Sequence, residues 1–240
     1  VRRTRTVAGV AVVSAAVVVS ACAGSDDVSV SSPFDQPSDS TSDGATDAAP
    51  TADIATPECP PETGTDEVTR QFDAPPPDCL DPDASYSALV ETSAGDITIE
   101  LDQTAAPEAV NSFVFLARNN YFDDTVCHRV IQEFVVQCGD PTATGTGGPG
   151  YRFPDELTEA GSYQLGSIAM ANSGPDTNGS QFFIISGPNG VALPPLYSNF
   201  GQVPEDDLGV VADMNALGSA DGSGVPSEEI RILDVTITQT

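Results

Sequence analysis

Met170-Ala171-Asn172-Ser173-Gly174-Pro175-Asp176-Thr177-Asn178-Gly179-Ser180-Gln181-Phe182-Phe183-Ile184 joins two short strand-like runs, residues 165–171 and 181–186. A second dense stretch lies upstream, His128-Arg129-Val130-Ile131-Gln132-Glu133-Phe134-Val135-Val136-Gln137-Cys138-Gly139-Asp140, with strands expected over 126–131 and 134–138. Further out, Ser87–Thr92, Asp96–Leu101, 199–203 and Glu229–Gln239 alternate like strands, with Ile97, Ile99 and Leu101 on one face. Residues 107–119 follow helical spacing: Pro107 suits the first turn, and Val110, Phe113, Val114 and Ala117 form an apolar stripe. A second helix is expected near 205–217, where Glu205, Asp206 and Asp207 suit the positive end of the dipole. Many strands, two helices and no βαβ rhythm describe an antiparallel barrel or sandwich with flanking helices.

The chemistry open to such a domain is narrow. The chain has one histidine, His128. Cys127 and His128 are strand neighbours and point to opposite faces, so they cannot form a nucleophile pair. No G-x-S-x-G elbow occurs, and no spacing supports a metal site. Gly145-Thr146-Gly147-Gly148-Pro149-Gly150 matches a dinucleotide fingerprint in letters only. Pro149 interrupts it and Tyr151-Arg152-Phe153-Pro154 follows where a helix is required, so it reads as a tight surface loop.

The two dense stretches resemble the central motifs of the cyclophilin family of peptidyl-prolyl cis/trans isomerases. The likeness extends to Pro107–Phe113, to Thr144–Gly148 and to Phe200-Gly201, and covers residues 85–240. It implies a mainly β fold, a closed eight-stranded antiparallel barrel capped by two helices. It implies X-Pro bonds as substrate, and neither cofactor nor metal. By motif match, Arg129 would be the catalytic cation and Gln137 would orient it or bond the substrate carbonyl. Phe134, Val135, Phe183, Leu193 and Tyr197 would form the proline pocket. Asn172 would bind substrate backbone beside Gln181, while Thr146, Gly147, Ala171 and Ser173 would line the groove for residues preceding the proline. His128 would stand next to the site without needing to titrate.

The sequence departs from the family pattern at several places. Cys127 stands where Phe is frequent, Val135 where Met is frequent, and Ala192 where many members carry Trp. Tyr197 replaces a common His, and Leu193-Pro194-Pro195-Leu196 replaces a more polar loop. Cyclosporin-type inhibitors are therefore expected to bind weakly, and a proline-binding or chaperone module with little catalysis is the alternative reading. Cys127 and Cys138 flank the hairpin, and a two-residue loop at Gln132-Glu133 would set them opposite each other as a disulfide. That register puts Arg129 and Gln137 on opposite faces; a bulge near 132–134 would reconcile the two.

The N-terminus reads as an address. Arg2, Arg3 and Arg5 precede the apolar run Val7–Val19, too short to span a bilayer, and Val19-Ser20-Ala21-Cys22 resembles a bacterial lipobox. Residues 1–21 are thus expected to be a lipoprotein signal peptide and Cys22 the lipidated first residue, a stable anchor. Residues 22–57 are rich in Ser, Asp, Thr, Ala and Pro, an acidic linker that cannot bury enough surface to fold. Within 58–84, Cys59 and Cys79 bracket Phe72 and Pro75-Pro76-Pro77; outside the cytoplasm these cysteines are expected to pair, giving a stapled extension packed on the domain 85–240.

Charge supplies the exclusions. The 240 residues hold 36 acidic side chains and 8 arginines with no lysine, a net charge of −28. Such a surface repels phosphate, so nucleic acid is excluded as a partner. The sequence therefore describes a monomeric isomerase, lipid-anchored to the outer face of the bacterial cytoplasmic membrane and acting on proline-containing segments of exported proteins.

Overall fold

Apolar-polar alternation in Tyr86–Thr92 (β1) and Ile97–Leu101 (β2) buries Ala88, Val90, Ile97 and Ile99 on one face of an antiparallel pair. The computed structural model describes residues 54–240. The expected signal peptide, Cys22 and all but the last few residues of the linker lie outside the described residues. After β2 come α1 (Pro107–Arg118), β3 (Arg129–Ile131), β4 (Val135–Cys138), β5 (Ser167–Met170), β6 (Phe182–Ile185) and α2 (Pro188–Val191). They are followed by β7 (Asn199–Gln202), α3 (Leu208–Ala216) and β8 (Ile232–Gln239), with a 3-10 turn at Glu205–Asp207 before α3.

The strands form one antiparallel sheet in the order β3-β4-β6-β5-β7-β2-β1-β8. The expected closed barrel is not what forms. The sheet curls into a half-barrel, and among the described residues no ladder joins β3 to β8. Its two ends meet at one isolated bridge, Val126 with Arg231. The reason lies on the outer edge of β3, whose backbone groups are taken by the loop after α3. Val130 N–H donates to the Gly224 carbonyl (2.8 Å), and Ser219 N–H donates to the Val130 carbonyl (2.9 Å). A strand edge satisfied by a loop is closed to further pairing.

The two longer helices stand where the sequence places them. The third, α2, is a single turn without apolar periodicity and was not expected. The β3–β4 hairpin also differs from the two-residue loop. Arg129 pairs with Gln137 and Ile131 with Val135, which leaves Gln132, Glu133 and Phe134 as a three-residue loop. Glu133 takes the left-handed conformation at φ 61°. The extra residue is the irregularity that lets Arg129 and Gln137 share a face while Cys127 and Cys138 still form a disulfide.

Strands β4, β5 and β6 are buried at every position, so the sheet carries an apolar layer on each side. Val130, Val136, Ile168, Met170, Phe182 and Ile184 join the main core with Phe113, Phe122 and Phe200. The alternate positions Val135, Ala169, Phe183 and Ile185 join a second, smaller cluster.

An amphipathic stripe predicts one buried face for α1, yet the helix is buried almost all round. Segment 54–84 covers the other side. Thr65 N–H donates to the Arg118 carbonyl (2.8 Å) and Cys79 N–H to Asn111 Oδ1 (2.9 Å). Phe72, 3% exposed, meets the Phe115 ring edge-on at 4.8 Å. Burying such a ring contributes about 1.5–3 kcal/mol. Cys59 and Cys79 are joined by a disulfide that closes this segment.

Candidate active site

Cross-strand pairing builds a row over four strands. Arg129 (β3) stands opposite Gln137 (β4), Gln137 opposite Phe183 (β6), and Phe183 opposite Ala169 (β5). Two residues along, Ile131, Val135 and Ile185 make a second row on the same face. A cation and an amide are thereby set at the margin of an apolar floor. The floor is the smaller cluster, Val135, Tyr163, Ala169, Ala171, Phe183, Ile185, Leu193 and Tyr197, with Phe134 and Leu196 against it. Phe183 and Tyr197 meet edge-to-face at 5.3 Å.

The polar side of the site is a chain of hydrogen bonds. Arg129 Nη1 donates to Gln137 Oε1 (3.4 Å), and Gln137 Nε2 donates to Gln181 Oε1 (2.9 Å). Gln181 Nε2 then donates to the carbonyls of Gly145 (3.0 Å) and Gly147 (2.9 Å). Each amide is oriented by the next, so the first acceptor presented to Arg129 is fixed from the far end. The guanidinium also lies 5.7 Å from the Phe134 ring centroid. Burial lowers the Arg129 pKa and the nearby Tyr197 pulls the other way; the group remains a cation at neutral pH.

The loop that receives Gln181 is organised by Asp140, a fully buried carboxylate. It accepts the backbone N–H groups of Thr142 (2.7 Å), Gly145 (2.6 Å) and Gly147 (3.0 Å) and the Thr142 hydroxyl (2.7 Å). Burial pushes its pKa up, but the bonds from Thr142, Gly147 and Gly145 outweigh that and hold it below the ordinary value. A Cβ on Gly147 would overlap the Asp140 carboxylate, so glycine is required there. The contact of Asp140 with the N–H two residues on is an Asx turn, a signal local to Asp140-Pro141-Thr142 to which the motif match assigns no role.

The structure brings the expected pocket residues Phe134, Val135, Phe183, Leu193 and Tyr197 into one cluster. Val135, Phe183 and Tyr197 are fully covered and form its floor, while Phe134 is half-buried. Ala171 joins the same cluster, and its N–H donates to the Gln181 carbonyl (2.9 Å). The Asn172 side chain donates to the Leu196 carbonyl (2.9 Å), which fixes the rim beside Pro194-Pro195. Thr146 and Ser173 are exposed, Thr146 in the loop that receives Gln181 and Ser173 just beyond Ala171-Asn172. His128 is half-buried beside Arg129, its Nδ1 without a hydrogen-bond partner. Burial lowers its pKa below 6.5, Arg129 adds to that and Asp140 opposes it, so the ring is neutral at pH 7.

Tyr163 is a further site residue, outside the matched motifs. Its hydroxyl donates to the Tyr197 carbonyl (2.7 Å) and accepts the Tyr197 N–H (3.1 Å), pinning Tyr197 over Phe183. Burial raises its pKa to about 12, so the hydroxyl stays protonated. It sits in a polar stretch with no period, which gave no signal. Among the described residues no group of three or more His, Cys, Asp or Glu is placed to hold a metal ion.

A family model described as "Cyclophilin type peptidyl-prolyl cis-trans isomerase/CLD" matches residues 87–237. A probable peptidyl-prolyl cis-trans isomerase B of Mycobacterium leprae is 39% identical over 166 residues, 62% of this chain and 56% of the relative. The chain thus spans little more than half the length of that relative. A peptidyl-prolyl cis-trans isomerase of Dictyostelium discoideum is 40% identical over 62% of this chain and 96% of its own. A crystal structure of a Cryptosporidium parvum cyclophilin-type isomerase superposes with a TM-score of 0.58 at 32% identity, covering 65% of this chain and 99% of its own. Fold, cross-strand row and these relatives agree: the chain belongs to the cyclophilin-type peptidyl-prolyl cis-trans isomerase family.

Proposed function

We propose that the protein is a peptidyl-prolyl cis/trans isomerase acting on X-Pro bonds of exported proteins. The observation that carries the reading is the Arg129–Gln137 pair on the same sheet face as an apolar floor. Rotation about an X-Pro amide has a barrier of about 18–20 kcal/mol, because the nitrogen lone pair is conjugated with the carbonyl. In the twisted transition state that lone pair localises. A guanidinium donating to the nitrogen, or holding the carbonyl oxygen, stabilises the twisted form more than the planar one. No bond to carbon is made or broken, so the reaction needs no nucleophile. A proline ring against Phe134 and Leu193 would hold the amide while the carbonyl side turns. Support for the substrate class comes from a related Cryptosporidium cyclophilin solved in the presence of the dipeptide Ala-Pro.

The experiment is acceleration of cis/trans exchange in a proline peptide by wild type and by Arg129→Ala. Losing a preorganised cationic donor is expected to lower the rate by about 10²- to 10³-fold. Equal acceleration by both proteins would remove Arg129 from the mechanism. Val135, Ala192 and the Leu193-Pro194-Pro195-Leu196 rim favour a second reading, a proline-binding or chaperone module with little catalysis. Peptide binding by the wild type without exchange would select it.

The proposed location is the outer face of the bacterial cytoplasmic membrane, held by a lipidated Cys22, with the domain monomeric. Residues 1–22 and the acidic segment after them support the anchored location. Labelled palmitate fed to producing cells is expected to mark the wild type and not Cys22→Ser; equal marking would sink the anchor.

A further inference from the structure

Segment 54–84 lies outside the matched family region, 87–237, yet it bonds to the loop at the edge of the site. Loop 145–150 is gripped on two sides. At its start, Asp140 and Gln181 hold Gly145 and Gly147. At its end, the extension takes over. Gln71 Nε2 donates to the Gly148 carbonyl (2.9 Å), and Phe72 N–H donates to the Pro149 carbonyl (2.8 Å). Gly150 has φ +96°, and a Cβ there would overlap the Phe72 carbonyl, so the two backbones touch directly.

The extension is itself anchored without the loop. Arg70 donates to the carbonyls of Tyr121 (3.1 Å) and Asp123 (2.6 Å), and the Phe72 ring packs on Phe115. The Cys59–Cys79 disulfide closes the segment on either side of these contacts. Gln71 therefore sits between two fixed neighbours, and its bond to Gly148 restrains the loop rather than the extension.

We infer that Gln71 and Phe72 are positioning residues for substrate selection. By fixing Gly148–Gly150 they set where Thr146 and Gly147 stand beside Gln181, and so shape the groove that receives the residues before the proline. The inference rests on the isomerase reading for the direction of the bound peptide. It predicts that the extension governs recognition of long peptides and not of the X-Pro unit, which meets Arg129 and Phe134 instead.

The test uses the full chain with Gln71→Glu, which keeps the side chain's shape but sets a carboxylate against the Gly148 carbonyl, and with Gln71→Ala. Dissociation constants and exchange rates are measured separately by NMR for a blocked Ala-Pro dipeptide and for a peptide with three further residues before the alanine. Loss of one hydrogen bond is expected to weaken binding of the long peptide roughly fivefold in both variants, with the dipeptide unchanged. The exchange rate at saturation is expected to hold within about twofold. Equal weakening of both peptides would mark a general loss of structure, and no weakening of either would leave the loop independent of the extension; each overturns the inference. Wild type that binds both peptides without catalysing exchange would overturn the isomerase reading alone, since the binding ratio still reads the role of Gln71.

Discussion

The role proposed for Arg129 rests on what surrounds it. Its head meets the Gln137 amide and the Phe134 ring, and its stem lies so close to Gly224 that a Cβ there would strike it. The planar fork matters as much as the charge. Arg129→Lys is therefore expected to resemble Arg129→Ala in rate, because an ammonium cannot serve both Gln137 and a substrate amide in one plane. Recovery of most of the activity by lysine would show that charge alone suffices. The residue types were legible in the sequence: Arg129, Gln137, Gln181, Phe183 and Tyr197 do meet. Their order along a hydrogen-bond chain was not, because it depends on side-chain directions that only the folded loop 140–147 fixes. Asp140 shows the limit. It read as the end of a motif, while its buried carboxylate organises the loop on which Gln181 rests.

At the scale of elements, the hairpin between β3 and β4 decides whether the site exists. With a two-residue loop Arg129 and Gln137 would face opposite sides; with Glu133 left-handed they share one. A non-glycine residue in that conformation is uncommon, so no side chain at 132–134 marked the third loop position; only the need to reconcile the Cys127–Cys138 pair with Arg129 and Gln137 on one face pointed to a bulge there. Segment 54–84 is the other element that decides something. Cys59, Cys79 and Phe72 were legible as a stapled patch, but nothing in the sequence showed that it would cover the outer side of α1. Its Arg70 also acts on a titrating carboxyl. Burial raises the Asp123 pKa to about 6, Asp234 and Asp124 add to it, and Arg70 of the extension opposes. The unfolded carboxyl ionises near 3.8, so between the two values the folded state holds a proton that the unfolded chain has lost. That contribution to stability is complete below 3.8 and disappears as pH rises through about 6. Asp123→Asn is therefore expected to raise the melting temperature at pH 8 and to give no gain at pH 3.5. A gain that is largest in acid would contradict the assignment.

At the scale of the molecule, two features stand out. The sheet was expected to close and does not, since the loop 219–224 takes the outer edge of β3 before β8 can reach it. Strand count and alternation were readable from the sequence, but seam closure depends on a loop with no periodic pattern. The second feature is charge: 21 acidic residues against four arginines over residues 85–240. Arg118 is buried against Gln239 and the Tyr86 ring, so it does little to neutralise the surface. Self-repulsion among the acids opposes the compact state, and salt screens it. The melting temperature is expected to rise steadily from low salt to about 1 M sodium chloride, where the screening length is about 3 Å. A steady fall would mean that favourable ion pairs dominate instead.

The proposed engine of X-Pro rotation is a cation, Arg129, fixed by a chain of amides beside an apolar floor. Two-dimensional exchange NMR on a generic proline peptide, with the 240-residue wild type and Arg129→Ala in catalytic amounts, reads this rotation. Wild type is expected to give strong cis/trans exchange peaks, and the variant exchange close to that of peptide alone while its melting temperature is maintained. Exchange of equal strength with both proteins would contradict this role for Arg129.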